Sequence, residues 1–343
     1  MTTPEKHVKT TDEVYKNLKV MKGLPADELI PAMQFITASL GVECGFCHVE
    51  NHFDQDDKKN KETARNMIRM IMALNRDQAF GGKPEVTCNT CHRGSRLPVS
   101  IPTISEPPVL PGTFEDQQLT NVPTPDQVLR NYVQALGGAD AIRKLTSLTE
   151  TGTTVVGSRE TTVEVFDQSP DKRTVVIHLP AGENVTAFNG VEGWTAAPHR
   201  PFRKMPSGDL PGEKMDADLQ FALHIKDLLG DLKPGPSEKL RGQDAYQLIA
   251  EKNGYPAARL YFSKESGLLL RVLRYSPSPL GLNPTRIDYE DYRPVDGVKI
   301  PYRWTVAHPF GQLTVQVTNA EANVPIDNRQ FEKPLEGEQQ SAK

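Results

Sequence analysis

The 343-residue sequence has four cysteines, two tryptophans and few aromatics of any kind, and it contains no run of about 18 apolar residues. The missing run excludes a membrane-spanning helix. A basic excess is missing too: 40 Lys and Arg face 44 Asp and Glu, for a net charge of -4. That balance excludes nucleic acid as a partner, because nothing is left over to neutralise phosphates. Residues 1–13 (MTTPEKHVKTTDE) lack the apolar core of an export leader. His178, His199, His224 and His308 are scattered without ligand spacing, and neither a nucleophile elbow nor a phosphate loop is found.

What is present is concentrated. All four cysteines fall in two CxxCH motifs, Cys44-Gly45-Phe46-Cys47-His48 and Cys88-Asn89-Thr90-Cys91-His92. CxxCH is the attachment signature of c-type haem. Two thiols add to the haem vinyl groups, and the histidine that follows binds the iron from one side. A zinc ribbon would place about 15–20 residues between its two knuckles. Here 40 residues separate Cys47 from Cys88, and each pair is followed by a histidine that zinc does not require. A redox dithiol would be single and set in a βαβ unit. The motifs therefore predict two covalently attached haem c groups, with His48 and His92 as iron ligands. Such haem is attached outside the cytoplasmic membrane, so the chain is expected to be periplasmic or otherwise extracytoplasmic, in a mature or trimmed form.

The prolines are unevenly spread. Seven of 28 lie within 98–125, a composition that favours an extended, semi-rigid spacer. This predicts an α+β protein: a helical dihaem domain over 1–97, a linker over 98–123, a β-rich domain over 124–335 and a tail over 336–343. In the first domain Thr11 or Asp12 opens a helix through Leu18. A second helix follows Pro25, with an apolar face through Met33, Ile36 and Leu40, and ends at Gly41. A third spans Lys58 to Asn75. The charges at its start (Asp56, Asp57, Lys58, Lys59, Lys61) read as a solvated surface. In the last domain a helix capped by Thr124 precedes many short strands, with a hairpin at Asp296-Gly297 and one helix over about 216–229.

Each iron needs a sixth ligand or an open site. Met33 lies 15 residues before His48, and Met67 lies 25 before His92. Each sits on the helix leading into its motif, and filling the core is the alternative role. Met70 and Met72 read as core. Arg65 and Arg93 are candidates for the haem propionates, with Arg96 and Lys83 nearby. His52 and His7 read as surface histidines.

Residues 14–98 resemble the cytochrome c subunit of purple-bacterial photosynthetic reaction centres. The resemblance is carried by Leu24-Pro25-Ala26-Asp27-Glu28-Leu29, Met33 with Ile36-Thr37, CGFCH, Ala64-Arg65-Asn66-Met67, Ile71 with Asn75, and Val86 through Gly94. In that family each unit is a helix, a turn and CxxCH, and the helix methionine is the sixth ligand. The resemblance thus implies Met33 and Met67. The family subunit carries four haems and this chain has two motifs. The family histidine that serves another haem is absent, since no histidine lies between His52 and His92. The second domain loosely resembles the lipoprotein-carrier (LolA-like) superfamily through Leu136-Gly137-Gly138-Ala139-Asp140-Ala141-Ile142 and Asp291 through Pro301. That fold implies a curved antiparallel sheet around an apolar cavity for a lipid-like ligand.

The expected function is a dihaem electron carrier rather than an enzyme, serving redox protein partners, with the last domain docking it or binding a lipophilic ligand. Two alternatives are a structural subunit of a haem-bearing assembly, built by self-association, and a haem peroxidase. The second needs one open iron, which Met33 and Met67 argue against.

Overall fold

The computed structural model describes residues 8–77, 86–98, 123–252, 255–309 and 311–333. Most of the linker, Lys83, His7 and the tail lie outside the described residues. Two compact units emerge. One is drawn from Met1–Thr113, Pro206–Gly208 and Pro277–Asn283, the other from Phe114–Met205, Asp209–Ser276 and Pro284–Lys343. The two short pieces of the first unit come from the stretch that reads, in sequence, as part of the β-rich domain.

The first unit holds helices α1 (Thr11–Val14), α2 (Leu29–Leu40), α3 (Lys59–Leu74) and α4 (Cys88–His92). The helix expected through Leu18 stops at Val14. Its first residues turn instead to the following loop: Thr11 N–H donates to the Leu24 carbonyl, Thr11 Oγ1 to the Met21 carbonyl, and Asp12 accepts from Gly23 N–H. These bonds outweigh local helix propensity. A 3-10 turn over Ala26–Glu28 feeds α2, which ends at Gly41 in the left-handed region, φ 64°. Gly41 is needed twice over, since a Cβ there would meet the Gly94 carbonyl oxygen at 2.2 Å. Gly94 N–H in turn donates to the Ser39 carbonyl at 2.8 Å. The core gathers Leu29, Ala32, Phe35 and Ile36 of α2, Ile68 of α3, Cys88 of α4, and Leu280 from the later piece. Burying each large apolar side chain contributes about 1.5–3 kcal/mol.

Among the described residues the second unit is a 14-stranded antiparallel sheet with four α-helices, α5 (Pro125–Leu136), α6 (Ala139–Arg143), α7 (Leu210–Ala217) and α8 (Phe221–Leu229). The strands are β1 (Ser147–Val156), β2 (Arg159–Gln168), β3 (Lys172–Leu179), β4 (Gly182–Phe188), β5 (Gly193–Ala197), β6 (Arg200–Lys204) and β7 (Leu232–Pro234). They continue as β8 (Glu238–Leu240), β9 (Gln243–Lys252), β10 (Tyr255–Ser263), β11 (Leu269–Ser278), β12 (Gly281–Val295), β13 (Val298–His308) and β14 (Gly311–Ala322). Order runs β6-β5-β4-β3-β2-β1-β14-β13-β12-β11-β10-β9-β7, with β8 also on β9. Two meanders are therefore joined by the β1–β14 pairing. The path ends at β6 and β7 without pairing them.

The α5 start is a capping box, with Thr124 and Gln127 bonding each other's backbone N–H. The β12–β13 hairpin turns at Asp296 and Gly297, both at positive φ (47° and 84°), as a two-residue turn of this type requires. The helix expected over 216–229 is two helices, broken at Asp218 in extended backbone. One core cluster joins Val128, Tyr132 and Leu136 of α5 and Ile225 of α8 to Leu248, Leu260, Phe262 and Leu269 of the sheet.

Candidate functional site

Both CxxCH motifs form a single helical turn. In the second, α4, Thr87 caps the turn through Thr90. In the first, a 3-10 turn over Cys44–Phe46 closes with Cys47 N–H and His48 N–H both donating to the Cys44 carbonyl, at 3.2 and 3.0 Å. Residues three apart share a face of such a turn. The two cysteines of each motif therefore share a face of its turn, with the histidine next in the chain; Cys88 is buried and Cys91 exposed. The cysteines are all unpaired, and among the described residues they are not gathered into a metal-holding group.

The two histidines are held alike by unrelated loops. His48 Nδ1 lies 3.0 Å from the Phe53 carbonyl oxygen, and His92 Nδ1 lies 2.9 Å from that of Ser95. A carbonyl only accepts, so Nδ1 carries the proton in each ring and Nε2 presents its lone pair. After His48, a turn with Asn51 at φ 61° brings Phe53 back, its ring 5.4 Å from the imidazole. After His92, Arg93 and Gly94 at positive φ bring Ser95 back. Burial pushes the His48 pKa down, and the charges of Lys61, Arg65 and Lys58 add to this against the Phe53 bond. The neutral imidazole is the form that binds iron.

The helices place the other candidates. Met33 is half-buried on α2 beside the core. Met67, on α3, is exposed and forms a stripe with Met70 and Leu74. The opposite face of α3 buries Lys61, Arg65, Ile68 and Ile71. Apolar stripes of this kind suit the flat face of a porphyrin. Met70 thus lies on the exposed stripe rather than in the core, while Met72 is half-buried against it. Arg65 is buried and already engaged: it donates to Asp56 at 2.8 Å, Glu62 at 3.0 Å and the Asn17 carbonyl at 3.2 Å. Arg93 is exposed at the C-cap of α4. Arg96 stacks 6.0 Å from the Phe46 ring, so the residues after one motif touch the other. His52 is exposed on the turn.

The charge cluster read as a solvated surface is structural. Lys61, 8% exposed, donates to the carbonyls of Phe53 and Gln55 and pairs with Asp56. Lys58 and Asn60 donate to the Gly45 and Phe46 carbonyls inside the first motif. Bonds to Asp56 from Arg65, Lys19, Asn17 and Lys61 hold its carboxyl far below the usual range. At the other end of α3, the Asn75 amide pairs with Val86 in both directions, at 2.8 and 3.0 Å, and so positions the second motif. The start of α3 clamps one motif and its end clamps the other. The donor set fits haem c: two thiols and one backbone-oriented imidazole per motif, with a helix methionine in each half.

Residues 1–133 match the family model of the photosynthetic reaction centre cytochrome C subunit. The photosynthetic reaction center cytochrome c subunit of Thermochromatium tepidum is 36% identical over 89 residues, 25% of this chain and 22% of that protein. Cytochrome c-554 of Chloroflexus aurantiacus is 32% identical over 85 residues, 23% of this chain and 20% of that protein. This chain thus spans about a fifth of the length of these curated relatives. Among solved structures, a LolA superfamily protein from Nitrosomonas europaea matches 62% of this chain and 99% of its own at 15% identity, TM-score 0.38.

The sheet unit contains a cavity of about 460 Å³. One side is apolar, with Leu136, Ile142, Leu145, Leu269, Val272 and Ile300. The other is charged, which departs from the apolar cavity expected. Asp167 on β2 faces Arg173 directly across on β3, and Arg173 Nη1 lies 2.9 and 2.8 Å from its two oxygens. Arg274 on β11 donates to Asp216 at 2.6 Å and Glu213 at 3.4 Å on α7. Gly212 is required for this, because a Cβ there would meet Arg274 Nη1 at 1.7 Å. Glu150 on β1 accepts from Trp304 Nε1 at 3.4 Å. Burial pushes Glu150 and Glu213 up to about 7 and Asp167 to about 6. In sequence, the Leu136–Ile142 and Asp291–Pro301 stretches hint at this site. Nothing local marks Glu150 or Arg274 as buried.

Proposed function

We propose that this chain is an extracytoplasmic dihaem c-type cytochrome that passes electrons between redox protein partners. The reading rests on one observation: two CxxCH turns, each with an imidazole whose Nδ1 is tied to a backbone carbonyl and whose Nε2 is left to bind. Haem c, when bound, supplies a one-electron couple at iron. The chain's contribution is to fix ligands and environment. Cys44, Cys47, Cys88 and Cys91 anchor the groups, and His48 and His92 bind the irons. Met33 and Met67 would each offer a thioether to one iron, which favours its reduced state. With His48 and His92 they would leave neither iron open, which argues against peroxidase chemistry. Arg93 is the better placed of the two propionate candidates, because the Arg65 guanidinium is committed to Asp56 and Glu62. The Pro-rich linker connects this domain to a β-rich domain that binds a lipophilic ligand.

Intact mass after acid-acetone extraction tests the stoichiometry and should give the polypeptide plus two haems. A bare-chain mass overturns the reading. Oxidised protein should show weak sulfur-to-iron absorption at the red edge, and Met33→Ala or Met67→Ala should open one iron to carbon monoxide. If both variants stay closed, His52 becomes the next ligand to test.

A further inference from the structure

The geometry points to a ligand with an apolar tail and a positively charged amine head for the cavity of the sheet unit. This deepens the lipophilic-ligand reading and rests on it. The tail follows from the apolar lining of Leu136, Ile142, Leu145 and Leu269, beside which the Tyr292 hydroxyl is spent on the Leu269 carbonyl.

The head follows from the charges. Five carboxyls line the cavity (Glu150, Asp167, Glu213, Asp216 and Asp218) against the guanidiniums of Arg173 and Arg274, with the exposed Lys299 and His308 also in the lining; Asp218 is taken by His224 at 2.8 Å. Asp167 takes Arg173, and Asp216 takes Arg274 at the shorter distance. Glu150 keeps only the long Trp304 bond among the described residues, and Glu213 a long 3.4 Å contact. Two carboxyls thus remain without a full counterion in one buried cluster. Arg173 sits at its centre and interacts with Glu150, Asp167, Asp216 and Tyr289. A buried carboxylate without a partner is costly, so these groups hold protons near neutrality. An ammonium between them would supply the missing charge and release those protons. An anionic head would meet surplus carboxyls and two arginines already spent, leaving the exposed Lys299 as its counterion.

A second observation shows the cluster to be incomplete. Arg274 is 6% exposed, and its Nε has no hydrogen-bond partner. Burying such a donor unpaired is unfavourable. An oxygen beside the amine of a ligand would accept from it.

Three ten-carbon probes of equal tail length test this on the full-length protein by calorimetry: decylammonium, decanol and decanoate. Decylammonium should bind saturably and at least tenfold more tightly than decanol at pH 7.5, with decanoate weakest. Its affinity should fall as pH drops to 5.5, where Glu150 and Glu213 are protonated. The groups facing them set this dependence: Arg173, Asp167 and Trp304 around Glu150, and Arg274, Asp216, Asp209 and Arg173 around Glu213. At pH 7.5 binding should release protons, read as a dependence of the heat on the buffer. Glu150→Gln with Glu213→Gln should abolish the preference for the amine and leave decanol affinity unchanged. Equal binding of all three probes would overturn the amine head while leaving the lipophilic cavity standing. Tighter decanoate would assign the head to the arginines instead. No saturable binding of any probe would overturn the ligand reading as well. The comparison of wild-type protein across the three probes decides the matter even if the double variant does not fold.

Discussion

In the unit with the CxxCH motifs, Asp56 holds its charge at a partly exposed position, gripped by Arg65, Lys61 and Lys19. Asp12 and Glu62 are likewise pushed down, by the Gly23 N–H and by Arg65. Partial burial makes Glu28 the exception. In the sheet unit Glu150, Asp167 and Glu213 also lie beside arginines, yet all three are pushed up. Proximity to arginine is common to both; burial differs. Near water, the attraction of a cation needs to beat little desolvation. In the interior the desolvation of the carboxylate exceeds what shared arginines return. Burial rather than the unit decides the sign: the exposed Asp291–Arg293 and Asp327–Arg329 pairs of the sheet unit are pushed down as Asp56 is.

The opposite signs imply opposite responses to pH. A depressed carboxyl stabilises its fold above the unfolded pKa and loses that as pH falls. A raised carboxyl binds its proton more tightly in the folded state, so stability declines as pH rises from the unfolded to the folded value. The two tryptophans, Trp194 and Trp304, both lie in the sheet unit. Tryptophan emission therefore follows that unit, and Soret absorbance follows the other.

Four perturbations probe the contrast, the largest first. Arg173→Ala should destabilise the sheet unit by about 3–5 kcal/mol, because Asp167 and Glu150 lose their central cation. It should leave the Soret transition in denaturant in place. Lys61→Ala removes a buried donor from two carbonyls and Asp56. It should lower the midpoint of the Soret transition by an amount equivalent to about 2–3 kcal/mol and leave tryptophan emission unmoved. Raising the pH from 5 to 7.5 should cost the sheet unit about 1–3 kcal/mol, read from tryptophan emission in urea. Glu150→Gln should flatten that slope, while the depressed carboxyls of the haem-motif unit, Asp56 first among them, should weaken it below about pH 4. Lys19→Ala should change the Soret midpoint by less than about 1 kcal/mol, since its bridge to Asp56 is exposed. An equal loss for Lys19→Ala and Lys61→Ala would remove the distinction between pairing at the surface and anchoring the motif.

Much of the first unit was legible. The α3 boundaries at Lys58 and Asn75 and the Gly41 stop follow from period and capping. The motif residues announce themselves. What escaped was tertiary: the carbonyls that Lys58, Asn60 and Lys61 reach are invisible to a pattern of charges, and the residues near Leu280 join a core far away in sequence. In the sheet, the β12–β13 hairpin follows from the Asp296-Gly297 turn. β1 did not, because Thr-Glu-Thr-Gly-Thr-Thr reads as polar. Its Glu150 is buried, and its Gly152 is demanded by a Cβ approach of 2.4 Å to the Gln316 carbonyl oxygen. The charged side of the cavity escaped for the same reason. Its members come from β1, β2, β3, α7 and β11, and no local spacing unites them.

The backbone ties on His48 and His92 bear on how this protein can evolve. A side-chain acceptor on Nδ1 could be exchanged by one nucleotide change, and the electron density at the metal would move with it. A main-chain carbonyl is present whatever residue occupies Phe53 or Ser95, so the proximal side of each site is insulated from single substitutions. On the dihaem proposal, the two potentials would then diverge through the surrounding charges and the second ligands. Selection on electron flow would leave its marks at Met33 and Met67, if these are the ligands, while the two histidine ties stay alike.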